Sequence, residues 1–231
     1  MRVLLKISWE ALAWDKEYWL DPKFLESLSF EIKELVDNWI SIWIVLWWWN
    51  FFRWVSGFEK WFERTSADYM WMLATVMNGL ALQNTLNNAW CTTSLMSAFD
   101  VPEVCEKFSK RKAIKYLEKW NVLICVWWTW NPYFTTDTWW VLRALELECN
   151  IMIKATKVDW VYDKDPKAHK DAILIEEASY DEVITKNLKV MDQTWIALAR
   201  DWNLTIKVLN LYKKWNILKA CLGEKIWTTI S

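Results

Sequence analysis

The chain has 231 residues, 28 basic and 29 acidic, for a net charge of −1. That length suits one large domain or two small ones with a substantial core. The even balance leaves no electrostatic footprint for nucleic acid or an anionic membrane surface.

In chain order, MRVLLKISWE carries too short an apolar run for a signal peptide and reads as a strand over 2–8. Asp21 is placed to cap a helix with Pro22 at its first position, where proline's missing N–H costs nothing. Phe24, Leu28, Ile32, Leu35 and Val36 then recur at helical spacing, predicting a helix over 22–38 with one apolar stripe. A strand over 40–46 follows. The longest uncharged run, Asn38–Phe52, is fifteen residues, short of the ~20 that span a bilayer, and a buried parallel strand reads the same way. Further on come a helix near 66–89, strand 91–97, helix 109–119, strand 121–126, helix 137–148 and strand 150–155. A loop rich in Asp and Lys holds the single histidine, His169, in DKDPKAHK, which reads as a solvated residue rather than part of a Ser-His-Asp triad or a metal site. Helices near 180–187 and 190–201, strand 204–209, a short helix near 215–222 and a terminal strand complete the chain. This alternation predicts a three-layer α/β/α sandwich with a mainly parallel central sheet. No linker or repeat divides it, so one domain is expected, with halves meeting near residue 150. Cys91, Cys105, Cys125, Cys149 and Cys221 form no C-x-x-C pair, which fits buried thiols in a reducing, cytoplasmic compartment rather than a disulfide framework or zinc site.

Two residue types are out of proportion. There are 23 Trp and 3 Gly, where an average domain of this length carries about 16 Gly. Several tryptophans sit where a helix hands over to a strand: Trp39, Trp120, Trp202 and, less clearly, Trp90. Glycine commonly takes a left-handed conformation there, and a bulky residue with positive φ is an outlier. Trp160, Trp215 and Trp227 fall in expected turns. Reading Trp as Gly raises glycine to roughly 11%, ordinary for a nucleotide-binding α/β protein. Two origins fit: a gene whose UGA codons mean glycine, read with a table in which they mean tryptophan, or deliberate replacement. Gly57, Gly79 and Gly223, still written as glycine, favour the first.

Three strand ends carry chemistry. LLKISW offers Lys6 and Ser8; IVLWWWNFFRW places Arg53 after three tryptophans; VWWTWNPYFTTDT puts Thr129, Asn131, Thr135, Thr136 and Asp137 before a helix. With glycine restored they read KISG, GGGNFFRG and GGTGNPYFTTDT: open backbone N–H groups, hydroxyls at a helix N-terminus and two cations, the parts a phosphate site needs. None is a Walker A loop.

Together with EIKELVDN, SADYMWMLATVMNGLA, IKATKVDWVYDKDP and LKVMDQTWIALARD, these segments resemble the bacterial uridylate (UMP) kinases of the amino-acid-kinase family over essentially residues 2–231. Every tryptophan falls where that pattern accepts glycine or another small residue. The resemblance implies transfer of the ATP γ-phosphoryl group to UMP with Mg²⁺, in pyrimidine nucleotide biosynthesis. Carried over by position, it implies catalytic roles for Lys6, Arg53 and Asp137, and ATP contacts from Lys6, Ile7, Ser8, Trp9, Trp49, Arg53, Thr156, Tyr162 and Asp165. It implies UMP contacts from Trp48, Asp68, Thr129, Trp130, Asn131, Pro132, Tyr133, Phe134, Thr135 and Thr136. It places UMP mainly on the half before about residue 150 and ATP on the half after it. It also implies a homohexamer with GTP and UTP as effectors; the charge balance and the short apolar runs argue against nucleic acid and a membrane, and no protein-caged metal is expected. The alternatives are a related kinase with a carbamate or carboxylate acceptor, or, with the tryptophans taken literally, an inactive aromatic-rich binding protein. As written, indoles at positions 9, 47–49, 127, 128 and 130 would fill phosphate space.

Overall fold

The computed structural model describes residues 1–7, 21–46, 63–126, 136–156, 161–164, 169, 171–186, 188, 193–224 and 228–231. Among them, β1 (Arg2–Ile7), β2 (Ser41–Leu46), β3 (Thr93–Ser97), β4 (Glu106–Lys107), β5 (Val122–Val126) and β6 (Ile151–Thr156) join β9 (Glu177–Ala178), β10 (Thr205–Asn210) and β11 (Thr228–Ile230) in one sheet. The order is β4-β3-β5-β2-β1-β6-β10-β11-β9. All pairings are parallel except β10 with β11. The central strands RVLLKI, SIWIVL and VLICV are almost wholly buried, as parallel strands covered on both faces must be.

Alternating side chains divide the interior into two layers. On one face Val3, Leu5, Ile7, Ile44, Ile124 and Ile153 pack against α1 (Pro22–Asp37) and α2 (Arg64–Asn88). On the other, Leu4, Trp43, Val45, Leu123 and Met152 pack against α3 (Lys110–Glu118), α4 (Thr136–Glu146), α5 (Tyr180–Thr185) and α6 (Gln193–Asp201). This is the expected three-layer sandwich. The elements fall within a few residues of expectation, and Asp21 caps α1 by accepting from the Lys23 N–H at 3.0 Å. Within the anticipated Asp/Lys-rich loop, β7 (Val161–Tyr162) pairs antiparallel with β8 (Leu174–Ile175). Strands of two residues have no periodicity to read. His169 is exposed, and Cys91, Cys105 and Cys125 are buried, with Cys149 and Cys221 half-buried. No helix among the described residues is long and apolar enough to cross a membrane.

Five helix-to-strand turns share one construction. In each, a residue with φ between 51 and 63° follows the helix: Trp39, Trp90, Trp120, Glu148 and Asn203. The next N–H reaches back five residues, as Ile40 to Leu35 O, Cys91 to Leu86 O, Asn121 to Tyr116 O, Cys149 to Ala144 O and Leu204 to Ala199 O, at 2.8–3.0 Å. This is the Schellman closure, whose left-handed position glycine fills best. Trp39, Trp90 and Trp120 therefore stand where expected. Trp202 does not: the turn closes one residue later, and Asn203 takes the left-handed conformation, which asparagine tolerates better than most residues. Trp215, at φ 68°, opens the short helix α7 (Asn216–Leu222), and Gly223, at φ 93°, ends it.

One buried carboxylate ties α1 to α7. Glu31 accepts the Ile217 N–H at 2.7 Å. Burial pushes its pKa above the ordinary carboxylate value, while the backbone N–H groups of Ile217, Trp215 and Leu218 pull it back.

Candidate functional site

From β1 the chain steps to β2 on one side; after β5 it crosses to β6 on the other side of β1. The strand order therefore reverses at β1, and in open α/β sheets ligands bind at the carboxyl ends of strands beside such a reversal. Lys6 occupies that place, one residue from the end of β1, and is 1% exposed. Its side chain shares the face of Leu4, under α4. Ile7 turns to the opposite layer with Val3 and Leu5, so its main chain is what it can offer a ligand at the strand end.

α4 follows the carboxyl end of β5 and leads back to β6, so its N-terminus lies at the same edge as Lys6. Helix N-termini present free N–H groups and positive potential to anions. Trp140, Val141, Ala144 and Leu147 seat this segment on the sheet. Trp140 is 1% exposed, and the Lys6 Nζ lies 3.5 Å from its ring centroid, a cation–π contact. Trp43, on β2, is equally buried, with its indole beside the Cys125 thiol. Nearby, Arg143 lies over the rings of Phe108 and Trp139, 4.2 and 4.7 Å from their centroids, and pairs with Glu146.

Asp68 lies in the second turn of α2, on the other helix layer, and is buried. Both its carboxylate oxygens accept from the Arg64 Nε, at 3.0 and 3.1 Å. Arg64 was not singled out from the sequence, although the i,i+4 spacing to Asp68 was there to read. Thr156 ends β6, half-buried, its hydroxyl donating to Leu209 O at 3.4 Å. Tyr162 is half-buried in β7. The structure thus brings Lys6, Thr156 and the start of α4 to one edge of the sheet. Ser8, Trp9, Trp48, Trp49, Arg53, Thr129, Trp130, Asn131, Pro132, Tyr133, Phe134, Thr135 and Asp165 lie outside the described residues; for Thr136 and Asp137 the helical backbone is described. Cysteine chemistry has no support here: burial pushes the thiols of Cys125, Cys149 and Cys221 up to about 12, which keeps them protonated and inert.

A strand-order reversal, a buried lysine at its carboxyl edge and a helix N-terminus beside it define an α/β protein of the phosphate-binding class. The amino acid kinase family profile matches residues 1–210. The chain is 46% identical over 224 residues to the uridylate kinase of Wolinella succinogenes, covering 96% of this chain and 93% of that protein. Its fold superposes on the crystal structure of UMP kinase from Bacillus anthracis with TM-score 0.95 at 32% identity, covering 100% of this chain and 95% of that one. It superposes on UMP kinase from Ureaplasma parvum with TM-score 0.92 at 34% identity, covering 100% and 98%. The chain belongs to the amino acid kinase family, in its uridylate kinase branch.

Proposed function

We infer that this protein is a UMP kinase, which transfers the γ-phosphoryl group of ATP to UMP and gives UDP and ADP. The observation that carries the reading is Lys6 at the carboxyl end of β1, where the strand order reverses, in a chain 46% identical to a uridylate kinase. Phosphoryl transfer asks the protein for positioning and charge stabilisation more than for covalent chemistry. Lys6 supplies a fixed cation for the transferring oxygens, joined by Arg53, and the N-terminus of α4 with Thr136 receives the acceptor phosphate. Asp137 organises the lysine side of the site, and Asp68 accepts hydrogen bonds from the UMP ribose. Ile7, Ser8, positions 9 and 49, Thr156, Tyr162 and Asp165 hold ATP, and position 48 with Thr129–Thr135 holds UMP. UMP thus sits mainly on the half before about residue 150, while ATP is held by the half after it together with the phosphate-binding strand ends of the first, within one domain.

Mg²⁺ enters with the nucleotide. Bound there, the ion would be held largely by phosphate oxygens, as is usual for magnesium at phosphoryl-transfer sites, and would offset phosphate charge beside Lys6, with the Asp137 carboxylate as the candidate protein ligand. A cytoplasmic homohexamer under GTP and UTP control, serving pyrimidine nucleotide synthesis, completes the proposal.

The working protein carries glycine at its tryptophan positions. What supports this is the backbone at Trp39, Trp90, Trp120 and Trp215, all with φ of 58–68°, together with the indole against Lys6. Peptide mass spectrometry of the native protein over residues 34–53 tests it: masses fitting glycine at 39, 43 and 47–49 are expected, and tryptophan masses overturn it. The activity is tested by supplying ATP and Mg²⁺ to the glycine-bearing chain with UMP, carbamate, acetylglutamate or aspartate. UDP formation alone is expected; a carboxyl or carbamoyl phosphate as the main product refutes the UMP assignment.

A further inference from the structure

The sheet register places a second lysine beside Lys6. Lys6 on β1 is the direct partner of Lys154 on β6, so their Cα atoms are neighbours across one strand spacing, about 4.8 Å. Both side chains leave the same face. Two residues earlier on each strand, Leu4 and Met152 belong to the layer under α4. The residues between and after, Leu5, Ile7, Ile153 and Ala155, belong to the opposite layer, and successive strand side chains alternate. Lys154 is half-buried, and Thr156 follows it on the same face at the strand end.

A third lysine on the central strands shows that this placement is selective. Lys207 on β10 pairs with Ile153, which puts it in the row facing the other layer. Its Nζ donates to Ala220 O at 2.8 Å, and burial lowers its pKa. Lys207 closes the end of α7. Lys6 and Lys154 stand side by side where the strands end, so one polyanion can reach both.

We propose that Lys154 is a second catalytic cation, contacting the β- and γ-phosphate oxygens of ATP from the β6 side as Lys6 does from β1. This rests on the UMP kinase reading. In the reaction an anionic oxygen of the UMP phosphate forms the new O–P bond, and the bond from γ-phosphorus to the β–γ bridging oxygen breaks. The electron pair goes to that oxygen, which leaves on ADP. No proton has to move, so the demand on the protein is for positive charge where the leaving oxygen gains its own. Lys154 lies between Lys6 and Thr156, on the nucleotide-donor side, and meets that demand.

The test is Lys154→Met and Lys154→Arg in the full-length chain bearing glycine at its tryptophan positions, beside the unsubstituted parent. Parent activity toward UMP tests the function itself; without it the UMP kinase reading falls first. With an active parent, Lys154→Met is expected to lower kcat roughly 10²–10³-fold, the usual loss for one preorganised charge-stabilising donor. It should also weaken ATP binding while leaving AMP and UMP binding and the unfolding midpoint unchanged. Lys154→Arg should recover part of kcat. A Lys154→Met enzyme with kcat within about threefold of the parent overturns the proposal. So does an equal loss of ATP and AMP affinity with a lowered unfolding midpoint, the mark of a structural lysine.

Discussion

The two edges of the sheet treat tryptophan in opposite ways. At the amino edge, where helices hand over to strands, Trp39 and Trp90 are exposed and their rings find open space; Trp39 lies edge-on to Trp120 with centroids 5.2 Å apart. The difficulty there is the left-handed backbone. In the interior and toward the carboxyl edge, Trp43 and Trp140 are packed without solvent, and the difficulty is volume: an indole lies against the Lys6 ammonium group, to which a role in phosphoryl transfer is proposed. Backbone strain is expected to lower stability while leaving the site intact, whereas an indole against Lys6 is expected to remove the proposed function even where the sheet still forms. One substitution type thus fails for two unrelated reasons, set by location.

The largest effect separates the two edges outright. Restoring glycine only at positions 9, 47–49, 127, 128, 130 and 140 should raise UMP kinase activity from background by at least about 10³-fold, the scale of lost positioning and charge stabilisation. Restoring glycine only at 39, 90, 120 and 215 should leave activity at background. A coupled ADP assay on both chains decides, and equal activities would show that tryptophan acts alike at both edges. In the active chain, Lys6→Met should then lower kcat by about 10²–10³-fold with little change in the unfolding midpoint; a loss under threefold would remove Lys6 from the chemistry.

Next come the turns. Trp90→Gly should stabilise the chain by about 1–2 kcal/mol, the left-handed penalty of a residue with a Cβ. Trp39→Gly should gain less, because the edge-on contact with Trp120 is lost, and such contacts contribute about 0.5–1.5 kcal/mol. Trp202→Gly should stay within about 0.5 kcal/mol of the parent, as an exposed position without a special backbone does. Urea unfolding ranks the three, and a Trp202 gain equal to that of Trp90 would refute the turn assignment.

The smallest effect concerns Glu31. Burial raises its folded pKa above the unfolded value near 4.5, so the folded state holds the proton more tightly. Its contribution to stability is largest below the unfolded pKa, declines as pH rises through the window up to the folded pKa, and is flat above it. The stability of the parent minus that of Glu31→Gln should therefore increase on acidification from about pH 7.5 to about pH 5. A constant difference by urea unfolding would show that the residue does not titrate this way.

Much of the fold was legible because local signals agreed with the global pattern: Asp21 and Pro22 opening a helix, apolar runs for doubly covered strands, and helix–cap–strand punctuation. At 202–203 the helix–strand punctuation points to Trp202, but its neighbour Asn203 takes the left-handed position, because an asparagine tolerates it better than a tryptophan. Lys6 could be read from its strand end, but Lys154 lay unassigned within IKATK: only the register of β1 against β6 makes the two neighbours. Arg64 was missed for want of a reason to look one turn before Asp68. Gly79 shows the same limit from another side. A Cβ there would meet Val126 at 2.5 Å and Leu95 at 2.8 Å, a packing constraint between α2 and the sheet that no local sequence rule announces.

Lys6 within 3.5 Å of the centre of an indole ring also sets a genetic boundary. If the codon at position 140 means glycine in the source organism and tryptophan elsewhere, the gene crosses between lineages as DNA but not as an enzyme. A recipient using the other table makes the sheet and blocks its lysine. Such a locus is insulated against lateral transfer in proportion to how many of its glycines lie where an indole does harm.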